Sequence, residues 1–312
     1  MKVIDAHCDV LMKMYDNENI QFDDHLYLDV TNSRLLKSNT LMQCFAIYIS
    51  ERIQNPNIDH ILQYIHIFHE KVLKFDHIIQ VKNKSDLQSA LSENKIGAMI
   101  TLEGVDALAG NLTYLRILYE LGVRCIGITW NYGNWAADGV LEPRHAGFTL
   151  KGKQLIEQCN DLGIILDVSH LCEKSFWDFV QINQKPFIAS HSNVFDICKH
   201  VRNLKKDQIL EIINNKGRIG LSFVPYFVNT SEDVYISDLL KHIEYICEIG
   251  GQNHVGFGSD FDGIDLWMND LSHTGDYITL KEALLKHYSE DIVDGFLYKN
   301  WFDFFENNLP KI

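Results

Sequence analysis

His7 and Asp9, one residue apart near the amino terminus, are the first side chains in this sequence that suggest metal chemistry. Side chains alternate between the two faces of an extended strand, so these two should point the same way and the intervening Cys8 the opposite way. Taken alone the pair is weak evidence, because His-x-Asp is a common pattern that a structural role explains better. Three further residues with metal-binding side chains follow short apolar runs later in the chain: Glu103, His170 and His191. Together the five predict a metal site.

Three imidazoles and two carboxylates suit two zinc ions per chain, whereas a single zinc ion needs only three or four ligands. Manganese or cobalt could fill the same cage of nitrogen and oxygen donors. Two cations that share a carboxylate would hold a hydroxide between them and polarise a substrate carbonyl, which is the chemistry of amide or ester hydrolysis.

Proton transfer in such a reaction needs an acid/base group, and Asp260 is the candidate. It lies in the run Gly258-Ser259-Asp260-Phe261-Asp262-Gly263. Asp260 would take the proton of the attacking water and pass it to the leaving amine. Asp262 is the alternative, but it comes two residues later and is expected to lie in the following loop.

The elements that must position these residues are short, β-branched apolar runs that alternate with longer segments of helical period. This alternation is typical of βαβ units with a parallel sheet. Eight strands are predicted, at 3–9, 42–49, 97–103, 123–129, 164–169, 186–190, 218–223 and 254–260. Helices are predicted between them, at 59–74, 85–94, 112–121, 150–162, 173–183, 206–215 and 237–249.

Eight strands, each followed by a helix, favour an α/β fold with a single (β/α)8 TIM barrel over a doubly wound open sheet of similar length. In such a barrel the carboxyl ends of all strands gather on one rim, so the candidate residues would meet there. Thr279 and Glu282 predict a capping box for a helix that begins near Leu280. Aromatic residues at helical spacing within 292–307 predict an additional C-terminal helix packed on the barrel.

Composition restricts the domain organisation and the partners. The chain has 312 residues, 46% of them hydrophobic, and no Pro/Ser-rich linker or repeat, so a single domain over 1–312 is expected. A net charge of −14 argues against nucleic acid and anionic membranes as partners. No apolar run approaches the roughly 18 residues of a membrane span, and residues 1–10 do not look like a secretory signal. Seven cysteines without a C-x-x-C motif predict reduced thiols and a cytoplasmic protein.

Several sequence blocks, in order, resemble the membrane dipeptidase (renal dipeptidase) family from about residue 3 to residue 305. They are Asp5-Ala6-His7-Cys8-Asp9, Leu102-Glu103-Gly104, Gly122-Val123-Arg124, Gly147-Phe148-Thr149 to Gly152-Lys153, Leu166-Asp167-Val168-Ser169-His170, Ala189-Ser190-His191-Ser192, Val201-Arg202-Asn203 and Gly258-Ser259-Asp260-Phe261-Asp262-Gly263. The resemblance implies a zinc enzyme that hydrolyses the peptide bond of small dipeptides. It also suggests a homodimer.

The resemblance assigns a role to each matching residue. It implies that His7 and Asp9 bind one zinc ion, that His170 and His191 bind the other, and that Glu103 bridges the two ions. It also implies that Asp260 is the acid/base and that Arg202 holds the substrate carboxylate. From the sequence alone, Arg202 would be read as part of a surface salt bridge. The clamp role therefore comes mainly from the family.

One position departs from the family pattern. Mammalian members carry a substrate-contacting histidine where this chain has Trp130, which offers only its indole N–H as a donor. Help for the oxyanion would then come from the metals or from Asn131, and both residues are candidates for substrate binding. The lack of a recognisable secretory signal and lipid-anchor tail is a second departure, consistent with a bacterial-type cytoplasmic member.

Two alternative functions stay open at this stage. Another metal-dependent hydrolase of the same barrel type, such as a cyclic amidase, a deaminase or a phosphoesterase, would use a similar cage. Many of those relatives begin with His-x-His and some add a carbamylated lysine, whereas this chain has His-x-Asp. A barrel that binds peptides with impaired turnover is the other alternative, for which Trp130 is the only indication.

Overall fold

A closed parallel β-barrel lies at the centre of this protein, in a computed structural model that describes residues 1–311. The strands are β1 (Val3–Asp5), β2 (Thr40–Tyr48), β3 (Ile78–Gln80), β4 (Ile96–Glu103), β5 (Val123–Gly127), β6 (Ile165–Asp167), β7 (Ile188–Ala189), β8 (Arg218–Leu221) and β9 (Val255–Phe257). Eight of them form the ring β1-β2-β4-β5-β6-β7-β8-β9, which closes because β9 pairs with β1. The predicted TIM barrel is therefore confirmed, and the open-sheet alternative is wrong.

The barrel strands are apolar along their length because both of their faces are covered. All eight residues of β4 are buried or nearly so, and β2 is buried from Thr40 to Ile47. In a parallel sheet wrapped by helices, neither face meets water, so apolar side chains are favoured at every position. The ninth strand, β3, was not predicted; it pairs with the amino-terminal half of β4, along the edge whose carboxyl half pairs with β5.

The helices surround the ring and connect successive strands. They are α1 (Val10–Asp16), α2 (Asn32–Lys37), α3 (Ile58–Ile67), α4 (Lys84–Ser92), α5 (Thr113–Leu121), α6 (Leu150–Leu162), α7 (Glu173–Ile182), α8 (Lys206–Asn214), α9 (Pro225–Val228), α10 (Ile236–Glu248), α11 (Tyr277–Leu285), α12 (Glu290–Asp294) and α13 (Asn300–Asn308). Each predicted helix is present, while α1, α2 and α9 are additional. The capping box predicted at Thr279 is wrong, because α11 begins at Tyr277 and Thr279 lies inside it.

The predicted C-terminal helix is divided in two by a π-helical turn at Gly295–Lys299, and its second half, α13, covers the amino-terminal ends of the strands. Trp301 is fully buried there, and its indole N–H donates to the carbonyl of Phe257 at 3.1 Å. Asn300 donates to the carbonyl of Val255 at 2.7 Å, at the start of β9. This helix therefore seals one end of the barrel and leaves the other end open.

The cysteines form no disulfide bonds within residues 1–311. All seven cysteines carry free thiols, and six of them are buried. Within residues 1–311, no helix has both the length and the apolar character needed to cross a membrane.

Candidate metal centre

The five predicted ligands meet at the open, carboxyl-terminal rim of the barrel. Glu103 is the last residue of β4, His170 and His191 follow β6 and β7, and His7 follows β1 by two residues. Asp9 immediately precedes α1. Strand alternation does not explain how His7 and Asp9 converge, since β1 ends at Asp5 and both residues lie beyond it. The prediction that all five come together holds because strand ends of a closed barrel share one rim.

Glu103 stands between two groups of nitrogen and oxygen donors. Its Oε2 lies 3.4 Å from His7 Nε2, which is itself 3.3 Å from Asp9 Oδ2. Its Oε1 lies 2.8 Å from His170 Nε2 and 3.6 Å from His191 Nε2. The two oxygens of one carboxylate thus face two different sets of donors, which is the arrangement a bridging ligand requires.

The donors fit a pair of divalent cations. Two triads, His7 with Asp9 and Glu103, and Glu103 with His170 and His191, each place one donor atom per residue within 4.8 Å of the others. Within residues 1–311, the buried atoms His7 Nε2 and Asp9 Oδ1 have no hydrogen-bond partner. A buried polar atom without a partner is costly unless a ligand or ion satisfies it. Imidazole nitrogens and carboxylate oxygens are donors that zinc accepts readily.

Electrostatics favours the ligand form of two of the three imidazoles. Burial and the nearby Arg202 lower the pKa of His170 to about 4, and burial with His7 lowers the pKa of His191 well below its usual value. Both rings are therefore neutral at pH 7, which is the form that binds a metal. For His7, burial opposes the proton, but Glu103 and Asp9 raise its pKa well above the usual value in the metal-free chain.

Asp260 lies at the edge of the same cluster, with Oδ1 3.8 Å from His7 Nε2. Burial, opposed by His7 and reinforced by the carboxylates of Asp9 and Glu103, raises its pKa to about 7. Its backbone has a φ of 67°, and His170 has a φ of 70°, in the left-handed region that non-glycine residues rarely adopt. Backbone strain of this kind is concentrated at functional sites.

Asp262, the alternative acid/base, has a different environment. It is 1% exposed, and its two carboxylate oxygens accept hydrogen bonds from the backbone N–H groups of Asp29 and Val30 at 2.8 and 2.9 Å. Asp262 therefore ties one loop to another.

Arg202 lies in the loop between β7 and α8 and is not on the surface. It is 6% exposed, its Nη2 donates to the carbonyl of His191 at 3.2 Å, and its guanidinium carbon lies 5.5 Å from the ring centre of Phe227. Its Nε has no hydrogen-bond partner within residues 1–311. Arg202 forms no salt bridge in the described chain, so a buried cation with free donors faces the site.

Trp130 and Asn131 follow β5 and border the cluster on the other side. The Asn131 side-chain oxygen accepts a hydrogen bond from His170 Nδ1 at 2.9 Å, so it orients a ligand, and only its amide nitrogen remains to face a substrate. The ring of Trp130 lies 5.2 Å from the ring of Tyr48 and 6.0 Å from that of His170. Trp130 and Tyr48 therefore form an aromatic surface beside the metal ligands.

A cavity of about 110 Å³ lies over the centre, and its lining includes Asp9, Glu103, Trp130, His170, Arg202 and Asp260. Through Tyr48, Glu103 and Trp130 it adjoins a second cavity of about 380 Å³. Arg202 thus borders the cavity over the centre but not the second cavity.

Sequence reasoning missed the side chains behind the ligands. Asp167 accepts hydrogen bonds from the backbone N–H groups of Ser169 and Ser190, and the Ser190 hydroxyl lies 2.7 Å from His191 Nδ1. The signal was present, since a carboxylate and a serine each precede a proposed histidine ligand. Only the pairing of β6 with β7 shows that they belong together.

The sequence resembles known proteins over most of its length. The sequence model of the membrane dipeptidase family, peptidase family M19, matches residues 1–308. The chain is 29% identical to the dipeptidase aclJ of Aspergillus oryzae over 86% of its length and 67% of that protein. It is 33% identical to an uncharacterised protein of Klebsiella pneumoniae, encoded 5′ of pqqA, over 69% of its length and 83% of that protein.

Solved structures show the same fold. A metallopeptidase known as dipeptidase AC superposes with a TM-score of 0.91 at 24% identity, with 99% of both chains covered. A metallopeptidase from Rhodobacter sphaeroides, bound to a phosphinate mimic of the dipeptide L-Ala-D-Ala, gives a TM-score of 0.91 at 23% identity, with 99% of both chains covered. From its sequence, its barrel and its rim of metal-binding side chains, the chain belongs to the membrane dipeptidase family (peptidase family M19) and is a metallo-dipeptidase.

Proposed function

We propose that the protein is a two-zinc dipeptidase in which His7 and Asp9 hold one ion, His170 and His191 hold the other, and Glu103 bridges them. One observation carries the proposal: the two carboxylate oxygens of Glu103 face different groups of ligands. Its Oε2 faces His7, and its Oε1 faces His170 and His191. Manganese or cobalt would suit the same donors. The family match over residues 1–308 supports treating 1–312 as one hydrolase domain.

Two such cations would lower the pKa of the attacking water and polarise the carbonyl of the scissile peptide bond. The side chains supply the remaining steps. Asp260, with a pKa of about 7 and a position beside the cluster, accepts the proton of the attacking water and delivers it to the departing amine. Asn131 keeps the His170 ring oriented through its Nδ1.

Arg202 holds the free carboxylate of the substrate. Its unpartnered Nε and its burial mean that an arriving carboxylate gains charge-assisted hydrogen bonds in a site with little water. The rest of the dipeptide then lies across the metal ligands toward Trp130 and Tyr48. The dipeptide mimic bound by the R. sphaeroides protein supports this class of substrate.

A substrate panel with matched variants tests the proposal. Metal-free protein reconstituted with zinc should cleave small dipeptides, and His170→Ala should abolish cleavage while His287→Ala, at an exposed histidine, should not. Near wild-type cleavage by His170→Ala or by Asp260→Asn would contradict the assignment. Turnover of cyclic amides or phosphoesters without dipeptide cleavage would favour a different hydrolase of the same fold.

A further inference from the structure

Two buried aspartates act as backbone clamps under the metal-binding rim, and they differ in one respect. Asp167 Oδ1 accepts hydrogen bonds from the N–H groups of Ser169 and Ser190, each at 2.9 Å. It thereby joins the end of β6 to the end of β7. Its second oxygen, Oδ2, lies 2.5 Å from the Ser190 hydroxyl, so this aspartate also controls a side chain.

Asp5 is the matching clamp between β1 and β9. Its Oδ1 accepts hydrogen bonds from the N–H groups of His7 and Ser259, at 3.2 and 2.9 Å. Its Oδ2 has no hydrogen-bond partner within residues 1–311. Asp5 therefore holds two strand ends without contacting any imidazole ring.

The Ser190 hydroxyl continues from Asp167 to a proposed ligand, since its oxygen lies 2.7 Å from His191 Nδ1. A carboxylate can only accept hydrogen bonds, so the hydroxyl must donate its hydrogen to Asp167 Oδ2. The same oxygen is then left to accept from His191 Nδ1–H. This places the hydrogen of the neutral imidazole on Nδ1 and the lone pair on Nε2, which faces Glu103 and His170 Nε2.

We propose that Asp167 and Ser190 are positioning residues that fix the tautomer of His191 so that its Nε2 is available to a cation. The step toward the cation rests on the proposed function, because it takes His191 as a ligand. The tautomer itself depends only on contacts within the chain, in which the relay to Nδ1 opposes the 2.8 Å contact of His191 Nε2 with His170 Nε2, the contact that would favour a hydrogen on Nε2. All three side chains are at most 6% exposed, so water does not compete easily for these bonds.

The variant Asp167→Asn should reverse the direction of the relay. Asparagine keeps one oxygen for the N–H groups of Ser169 and Ser190, but its amide would donate to the Ser190 oxygen. The hydroxyl would then donate to His191 Nδ1 and move the ring hydrogen to Nε2, where it blocks a metal. Asp5→Asn is the matched control, because it keeps the Oδ1 contacts and disturbs no imidazole. Ser190→Ala removes the relay, and Ser190→Thr retains its hydroxyl.

Two measurements test the proposal. Nitrogen NMR of the histidine rings in metal-free protein at pH 7 should show the Nδ1–H tautomer for His191 in the wild type, in Asp5→Asn and in Ser190→Thr, and the Nε2–H tautomer in Asp167→Asn. Competition with a chelator should show one zinc equivalent bound about 10- to 100-fold more weakly in Asp167→Asn and Ser190→Ala. Thermal unfolding checks that each variant is folded.

An unchanged His191 tautomer in Asp167→Asn would overturn the proposal. So would wild-type affinity for both zinc equivalents in Asp167→Asn and Ser190→Ala. If the wild type bound no zinc, the proposed function would fail, while the tautomer measurement would still decide whether the relay exists.

Discussion

Asp260→Asn should make the metal-free protein more stable even though it removes the proposed acid/base group. Burial, with the repulsion from Asp9 and Glu103, raises the Asp260 pKa from 3.8 to about 7 in the folded chain. Each pKa unit corresponds to 1.36 kcal/mol, so ionising Asp260 costs the fold about 4 kcal/mol above pH 7. Asparagine removes that charge, but a buried amide N–H without an acceptor lowers the stability of the fold by about 1–3 kcal/mol. Above pH 7 the free energy of unfolding of Asp260→Asn should therefore exceed that of the wild type by about 2 kcal/mol.

The sign of the pH dependence follows from proton binding. Between pH 4 and pH 7 the folded chain binds more protons at Asp260 than the unfolded chain, so the contribution of Asp260 to the stability of the wild type falls as the pH rises through this window. Asp260→Asn should therefore be less stable than the wild type by about 1–3 kcal/mol at pH 4, where Asp260 carries no charge in the folded chain, and its stability relative to the wild type should rise up to pH 7 and then level off. For a chain of this length, about 2 kcal/mol corresponds to an unfolding temperature about 3 °C higher.

Thermal unfolding of chelator-treated wild type and variant, at intervals from pH 4 to pH 8, provides the assay. Asp161→Asn, at an exposed site on α6, is the control and should change stability by less than about 0.5 kcal/mol at every pH. A variant that is no more stable than the wild type at pH 8, or one whose advantage is the same at pH 4 and pH 8, would refute the reasoning.

Three other predictions follow from the same geometry. Arg202→Gln should lower kcat/KM for dipeptides by about 10- to 100-fold, because the charge-assisted hydrogen bonds to the substrate carboxylate are lost. A dipeptide with an amidated carboxyl terminus should be cleaved equally poorly by the wild type and by Arg202→Gln. A similar loss on both substrates would contradict the role of Arg202 in holding the carboxylate. Trp301→Ala should cost about 3–5 kcal/mol in denaturant unfolding, because it empties the seal at the closed end of the barrel, and a cost below about 1 kcal/mol would contradict that packing. Zinc at 1,000 times its dissociation constant should stabilise the metal-free wild type by about 4 kcal/mol and so raise its unfolding temperature, whereas His170→Ala should be stabilised much less. Equal increases in the unfolding temperature of the two proteins would contradict the ligand set.

The sequence predicted the barrel because its strands are buried on both faces and so appear as apolar runs that helical segments separate. Strand β3 escaped this signal, because its uninterrupted apolar run is only Ile78 and Ile79 before Gln80. Helix α1 was hidden for another reason. It starts directly after Asp9, so the segment that carries the first two ligands looked like one continuous strand.

The convergence of the five ligands could be predicted from their positions alone, because a closed barrel brings all strand ends to one rim. The direction of each side chain could not. Asn131, for example, turns its side-chain oxygen toward His170 Nδ1, which leaves its amide nitrogen as the donor for an oxyanion. The relay from Asp167 through Ser190 depends on the register between β6 and β7, which pattern and spacing do not encode. Sequence therefore located the site, and the hydrogen bonds that orient it required the structure.

Dipeptide hydrolysis measured while zinc is added stepwise to metal-free wild type tests the central claim most directly. The paired donor sets around Glu103 predict that the chain binds two zinc ions and that full cleavage activity requires the second. Full activity at one zinc per chain, or cleavage that persists in the chelated protein without any metal, would contradict the two-ion centre.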